Sequence, residues 1–217
     1  VVTLLARLPP DWTQLLKDRL LSAPEHRPEF WRIGGTDQSP TEPMRAALGN
    51  SPKPAAVLIP IIDRGADSTL LFTRRSNALR NHAGQISFPG GRLDDSDMDP
   101  LAAAKRETFE EIGVHERYVE PLGFLADHVV LTGYRITPVV ARISPGFELR
   151  LASDEVESVF EVPLAYAMHA GNFQLTRRQL RGFDVETWDL LYGSDVIWGA
   201  TAGILRHLSQ RFSGYRE

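Results

Sequence analysis

The strongest chemical signal in the chain is three glutamates, Glu107, Glu110 and Glu111, in the run FPGGRLDDSDMDPLAAAKRETFEEIGV at 88–114. On a helix advancing ~100° per residue they fall at about 0°, 300° and 40°, so their carboxylates share one face. Like charges at this spacing cost an isolated helix a few tenths of a kcal/mol per pair. Arg106 can pair with Glu110 one turn on, but one cation does not neutralise three anions. A hard divalent cation would, since carboxylate oxygens and water are the ligands Mg²⁺ accepts. Acidic residues on an exposed helix face are ordinarily just solvated. Here their company argues for more. The turn Phe88-Pro89-Gly90-Gly91 lets backbone approach a ligand closely, and Asp94, Asp95, Asp97 and Asp99 follow it.

The helix that must carry these groups is predicted at about 100–112, with Asp99 as N-cap, Pro100 at the first position and Gly113 closing it. Leu101, Ala104, Thr108 and Ile112 form the neighbouring face and should pack on a sheet. The apolar run 55–62 predicts a buried strand, and the turn at Asp63–Asp67 leads to a second strand at about 69–75, giving a hairpin. Further strands are expected near 118–129, 136–143 and 157–162, then a hairpin of 173–180 with 184–192. A helix is expected at 11–22 and a last one at 197–211, with Ile197, Ile204, Leu205 and Leu208 on one face. Residues 24–54 hold six prolines without periodicity and are expected to form a covering loop. The domain reading is an N-terminal helix with a Pro-rich segment (1–54) before a catalytic domain (55–217). Strands interleaved with helices predict an α/β (α+β) sandwich with helices covering a mixed sheet.

Composition narrows the function. The 217 residues hold 24 Lys and Arg against 28 Asp and Glu, a net charge of −4, which disfavours a global polyphosphate or nucleic-acid surface. Cys is absent, which excludes disulfides, thiolate zinc sites and a cysteine nucleophile. No apolar run approaches the ~20 residues of a membrane span, and no signal-peptide pattern opens the chain. The expected setting is the cytoplasm.

The 88–114 segment resembles the Nudix box. Gly91 is followed by five residues and Asp97, then eight residues, then Arg106-Glu107-Thr108-Phe109-Glu110-Glu111-Ile112-Gly113-Val114. Asp97 stands where the pattern has Glu, the spacer is one residue longer, and Thr108 replaces an aliphatic residue. The resemblance implies a Nudix-like α/β/α sandwich and a metal-dependent attack of water on a diphosphate. It also implies Mg²⁺ or Mn²⁺ as cofactor, Glu107 and Glu111 as main metal ligands, Glu110 assisting, the Gly91 carbonyl as a further ligand and Arg106 orienting the glutamates. A general base in similar enzymes sits on a later acidic loop, and Glu155 within Ser153–Leu164 is the matching choice; SDEVE also reads as a plain acidic loop.

Upstream, Leu71-Phe72-Thr73-Arg74-Arg75-Ser76 with Arg80, Gly84 and Phe88–Gly91 resembles the signature of the coenzyme A pyrophosphatase branch, and IWGATAGIL at 197–205 is similar to its closing helix. The resemblance implies coenzyme A as substrate, with Arg75 and Arg80 as phosphate-binding residues beside Gly90 and Gly91. Arg74 and Arg75 are adjacent on a strand and cannot both face one ligand. The 3′-phosphate is the group these arginines are expected to read. Other readings keep the chemistry but change the substrate (NADH, ADP-ribose, a dinucleoside polyphosphate, capped RNA). A reading of another class is a non-catalytic nucleotide sensor, against which all three glutamates stand. A homodimer is compatible with the sequence. His128 beside Asp127 suggests an acid–base pair, which strand alternation opposes. The four Trp read as core or interface anchors.

Overall fold

In the computed structural model of the chain, residues 8–26, 41–48, 51–79 and 82–213 are described. The elements are α1 (Trp12–Lys17), α2 (Glu42–Leu48), β1 (Lys53–Ile62), β2 (Thr69–Arg75), β3 (Ile86–Ser87), β4 (Gly90–Arg92) and α3 (Pro100–Ile112). There follow β5 (Val119–Phe124), β6 (His128–Val130), β7 (Tyr134–Ile143), β8 (Val156–Pro163) and α4 (Leu164–Ala167). The chain then runs through β9 (Phe173–Leu180), β10 (Phe183–Tyr192), β11 (Asp195–Trp198) and α5 (Gly199–Phe212).

β1 is the axis of the main sheet because it is apolar on both faces. Ala56, Leu58 and Ile62 enter the core beneath α3, while Ile59 and Ile61 enter the opposite one. Burial of both faces is what an uninterrupted apolar strand implies. β1 pairs in parallel with β7 from Lys53–Tyr134 to Ile62–Ile143. Its other edge pairs antiparallel with β4 at 55–57 and with β2 at 61–62. Pro60 falls in the gap between those two partners, so its missing N–H interrupts neither ladder. The path β3-β2-β1-β7-β5 forms the main sheet, with β8 added on β2 and β6 on β7; β9, β10 and β11 form a second sheet.

α3 covers one face through Ala103, Ala104 and Ile112. The other face is covered by α5 (Ile204, Leu205, Leu208), α1 (Trp12, Leu16) and α4 (Leu164). This is the expected α/β/α arrangement with a mixed sheet. The N-terminal segment joins the same core, and Leu21 and Phe124 exchange backbone hydrogen bonds of 2.9 Å with β5.

Several expectations needed correction. Residues 42–48 are helical within the stretch read as a covering loop, because Pro43 lies in the first turn, where no intrahelical N–H is lost. α1 is shorter than 11–22, ending at Lys17. Ile197 is buried as expected but lies on β11 opposite Leu190, and α5 starts only at Gly199. On α3 the residue Ala103 is buried against the sheet, and Leu101 only partly so. The strand expected over 118–129 is broken between Phe124 and His128. Among the described residues no helix is long and apolar enough to cross a membrane.

Candidate active site

Local capping fixes which way the glutamates of α3 face. The Asp99 carboxylate accepts the Ala102 N–H at 2.8 Å and Pro100 occupies the first position. At the other end Gly113 adopts φ 77°, a left-handed conformation that a side chain would strain, and its N–H donates to Phe109 at 2.9 Å. Between these caps, Glu107 and Glu111 point at the β4 turn.

Glu111 is only 4% exposed. Its Oε2 accepts the Gly90 N–H at 3.2 Å. Burial pushes its carboxyl up to about 8; the Gly90 N–H and the Arg75 charge oppose the rise, while Glu107 and Glu155 add to it. Burial also raises the Glu107 carboxyl, against the pull of Arg106 and with help from Glu110 and Glu155. The double glycine is explained by contact. A Cβ on Gly91 would sit 2.5 Å from the Glu107 carboxylate. One on Gly90, whose φ is 151°, would meet the Ala56 carbonyl and lie 2.6 Å from the Val57 Cα.

Arg106 gathers the acidic groups on the outer side of the helix. It donates to both Asp97 oxygens at 3.1 and 2.9 Å, to Glu107 at 3.0 Å, to Glu110 at 2.9 Å and to the Arg92 carbonyl at 3.1 Å. Asp97 also accepts the Asp94 N–H at 2.7 Å, and Arg106 above all holds its carboxyl below the usual range. The shorter acid in the unusual box position thus anchors the arginine. Glu110, its side chain 55% exposed, turns to Arg106 and away from the Glu107–Glu111 pair.

Glu155, the residue expected on the later acidic loop, comes near this site through backbone contacts. The loop before β8 caps α3: Arg150 N–H donates to Ile112 and Ala152 N–H to Glu111, both at 2.9 Å. Glu155 then donates to Ala152 at 2.9 Å and accepts from the Ser76 N–H at 2.8 Å, next to a register shift between β2 and β8. Its side chain is exposed, yet its charge is felt at both Glu107 and Glu111.

Arg75 stands near enough to Glu111 to stabilise its charge, and its Nε is buried without a hydrogen-bond partner among the described residues. Arg74 faces the other way, bonded to Asp195 at 2.7 Å and lying over the Phe160 ring. Arg80 and Trp31 lie outside the described residues. Asp127 accepts from Thr137 at 2.8 Å and pairs with His26 at 2.7 Å, whereas His128 packs beside His207, so the two neighbours form no acid–base pair.

The donor chemistry at Glu107, Glu111 and the Gly91 backbone fits a hard divalent cation: one buried and one partly buried carboxylate, held against a turn without side chains, whose carboxyls burial holds above the usual range. Among the described residues, however, no three His, Asp or Glu side chains gather tightly enough to hold a metal ion, because Glu110 is engaged elsewhere.

A mixed sheet thus lies between helices, and a capped helix presents paired acids to a Gly-Gly turn. Residues 52–181 match the NUDIX domain, and the chain belongs to the Nudix hydrolase family, whose members act with divalent metal ions. An uncharacterized Nudix hydrolase, NudL, of Escherichia coli strain K12 is 46% identical over 155 residues, 71% of this chain and 80% of that protein. NudL of Shigella boydii serotype 18 matches at the same identity and coverage. The crystal structure of a MutT/nudix family protein from Enterococcus faecalis is 19% identical and covers 73% of this chain and 61% of its own, with a TM-score of 0.46.

Proposed function

We propose that the protein hydrolyses the diphosphate of coenzyme A, or of its acyl or oxidised derivatives, to adenosine 3′,5′-bisphosphate and 4′-phosphopantetheine. The observation that carries this reading is Arg75, whose buried Nε lacks a partner beside Glu111 and which belongs to the basic signature preceding the Gly-Gly turn. A guanidinium there suits phosphate oxygens, which it can bind through a fork of donors.

The residues divide the work. Glu107 and Glu111, with the Gly91 carbonyl, would hold Mg²⁺ or Mn²⁺, which supplies charge neutralisation and Lewis acidity at the diphosphate. Arg106 keeps Glu107 and Glu110 oriented and limits their repulsion. Arg75 receives the reacting diphosphate. Glu155, exposed and within electrostatic reach of Glu107 and Glu111, takes the proton of the attacking water. The water oxygen bonds to one phosphorus as the bond from that phosphorus to the bridging oxygen breaks, and the bridging oxygen leaves with the second phosphate.

The test is product analysis with Mg²⁺ or Mn²⁺, coenzyme A being set against NADH, ADP-ribose, a dinucleoside polyphosphate and capped RNA at equal concentration. Adenosine 3′,5′-bisphosphate and 4′-phosphopantetheine are the expected products. Faster turnover of another compound would assign the site to that substrate.

A further inference from the structure

The diphosphate chemistry leaves Arg74 without a task, since its side chain leaves β2 on the face opposite Arg75. It is nonetheless held on three sides. Its guanidinium donates to Asp195 at 2.7 Å, reaches the Gly84 carbonyl at 3.4 Å and lies 5.9 Å over the Phe160 ring. Arg74 and Asp195 keep only 27% and 28% of their side-chain surface exposed, so the pair is shielded from the solvent that weakens exposed ones. Asp195 opens β11, across from Tyr192, and the pair thereby ties the second sheet to the end of β2. Another tie lies level with it. Ile86 stands opposite Arg74 across β2 and β3, and its carbonyl accepts the Thr201 hydroxyl of α5 at 3.2 Å.

The end of β2 needs such a brace because its ladder is irregular there. β8 sets Ser158 against Arg74 but Val156 against Arg75, so Glu157 is an extra residue beside the last side chain of β2. Bulges of this kind re-aim side chains next to active sites and locally disrupt the ladder that would hold them. The Arg75 backbone is held by the turn that follows: its N–H donates to the Gln85 carbonyl at 3.0 Å, and its carbonyl accepts the Gly84 N–H at 3.1 Å. Arg74 thus reaches the carbonyl of the same residue whose N–H holds Arg75. On the other side of Arg75, the Ser76 N–H donates to the Glu155 carbonyl at 2.8 Å.

We propose that the Arg74–Asp195 pair is a positioning device: it braces the Gly84 turn from behind and so sets where the Arg75 guanidinium meets the diphosphate. A planar fork can engage a carboxylate and a carbonyl in one fixed geometry, which a lysine ammonium on its flexible stem does not. The proposal rests on the reading of Arg75 as the residue that receives the diphosphate.

A double-mutant cycle on the full chain with coenzyme A and Mg²⁺ tests it. Arg74→Gln and Asp195→Asn should each lower kcat/KM about tenfold, chiefly through KM, the low end of what a charge-assisted hydrogen bond supplies. In the Arg75→Ala background neither change should cost more than about twofold, because the group they position is gone. A pair that only ties the two sheets together would lower the unfolding midpoint and cost the same factor in both backgrounds. Equal losses with and without Arg75, or an unchanged kcat/KM in Asp195→Asn, overturn the proposal. If Arg74→Gln does not fold, Asp195→Asn carries the cycle. Parental kinetics in Arg75→Ala would overturn the placement of Arg75 at the diphosphate instead. Failure of the parent to hydrolyse coenzyme A would overturn the substrate reading, and the cycle would then judge the brace on whichever compared compound is turned over fastest.

Discussion

Replacing Glu111 by Gln should make the metal-free protein more stable while removing most of its turnover. The side chain is 4% exposed, and burial raises its carboxyl from 4.5 to about 8. Below pH ~4.5 this group is protonated in both folded and unfolded chains and costs nothing. As pH rises towards 8 the unfolded chain releases the proton while the folded one keeps it, so stability falls through this window. At ~1.4 kcal/mol per unit of difference, the loss between pH 5 and 8 reaches about 3–4 kcal/mol as a ceiling. Gln keeps an oxygen to accept the Gly90 N–H but has no charge to bury.

The assay is thermal unfolding in a chelator from pH 5 to 9 for both proteins. The gap in midpoint should widen with pH in favour of Glu111→Gln, by up to roughly 7–14 °C at 2–4 °C per kcal/mol for a chain of this size. Asp97 and Glu120 are held below their usual range, Asp97 chiefly by Arg106 and Glu120 chiefly by Lys17, so their contributions are lost only at lower pH, outside this window. Mg²⁺ should narrow the gap by stabilising only the parent. Parallel midpoint curves would refute a buried, reluctantly ionised Glu111, and near-parental turnover of the variant at saturating Mg²⁺ would move the chemistry off this helix.

Gly91→Ala should fold yet lose most activity, because its Cβ would lie 2.5 Å from the Glu107 carboxylate and displace it; kinetics beside a circular dichroism spectrum would check both halves. Arg106→Ala should lower stability by about 2–4 kcal/mol in urea titrations, since it strips Asp97, whose side chain is 5% exposed, of its bidentate partner. Glu155→Gln should slow turnover and alter its pH profile without shifting the metal-free midpoint, and an unchanged rate would leave the residue as loop structure only.

The parts of this site that local rules govern were legible in the sequence. Asp99, Pro100 and Gly113 cap α3 within a turn of where they stand in the chain, and helical spacing alone puts Glu107 and Glu111 on one face. Strand alternation separates Arg74 from Arg75 for the same reason. What depends on distant chain was not legible. The pairing of Glu110 with Arg106 one turn before it is the exception, a local contact that the spacing predicts. Glu155 was reached only through the resemblance of its acidic loop, since what brings it near the acids is a loop that caps a helix some forty residues earlier through backbone groups. The helix at 42–48 was hidden by counting prolines without their positions, since a proline in a first turn marks a start and not a break.

The distribution of cations around α3 separates structure from chemistry at this site. Arg106 serves Asp97, Glu107 and Glu110 together, so each outer acid has a bonded cation within the fold, although one cation is shared by three anions. Among the described residues no such partner reaches Glu111: the hydrogen bond it accepts there comes from an uncharged amide, and Arg75 acts on it at a distance. A purely structural acid in that position would be expected to carry a bonded cation or to be replaced by an apolar residue, either of which relieves the burial cost. The chain does neither, while it spends two glycines on keeping the space beside the acids clear. Ionising that carboxyl beside a bare backbone is favoured by a positive charge brought from outside, and such a charge is what a diphosphate also requires before water can approach it.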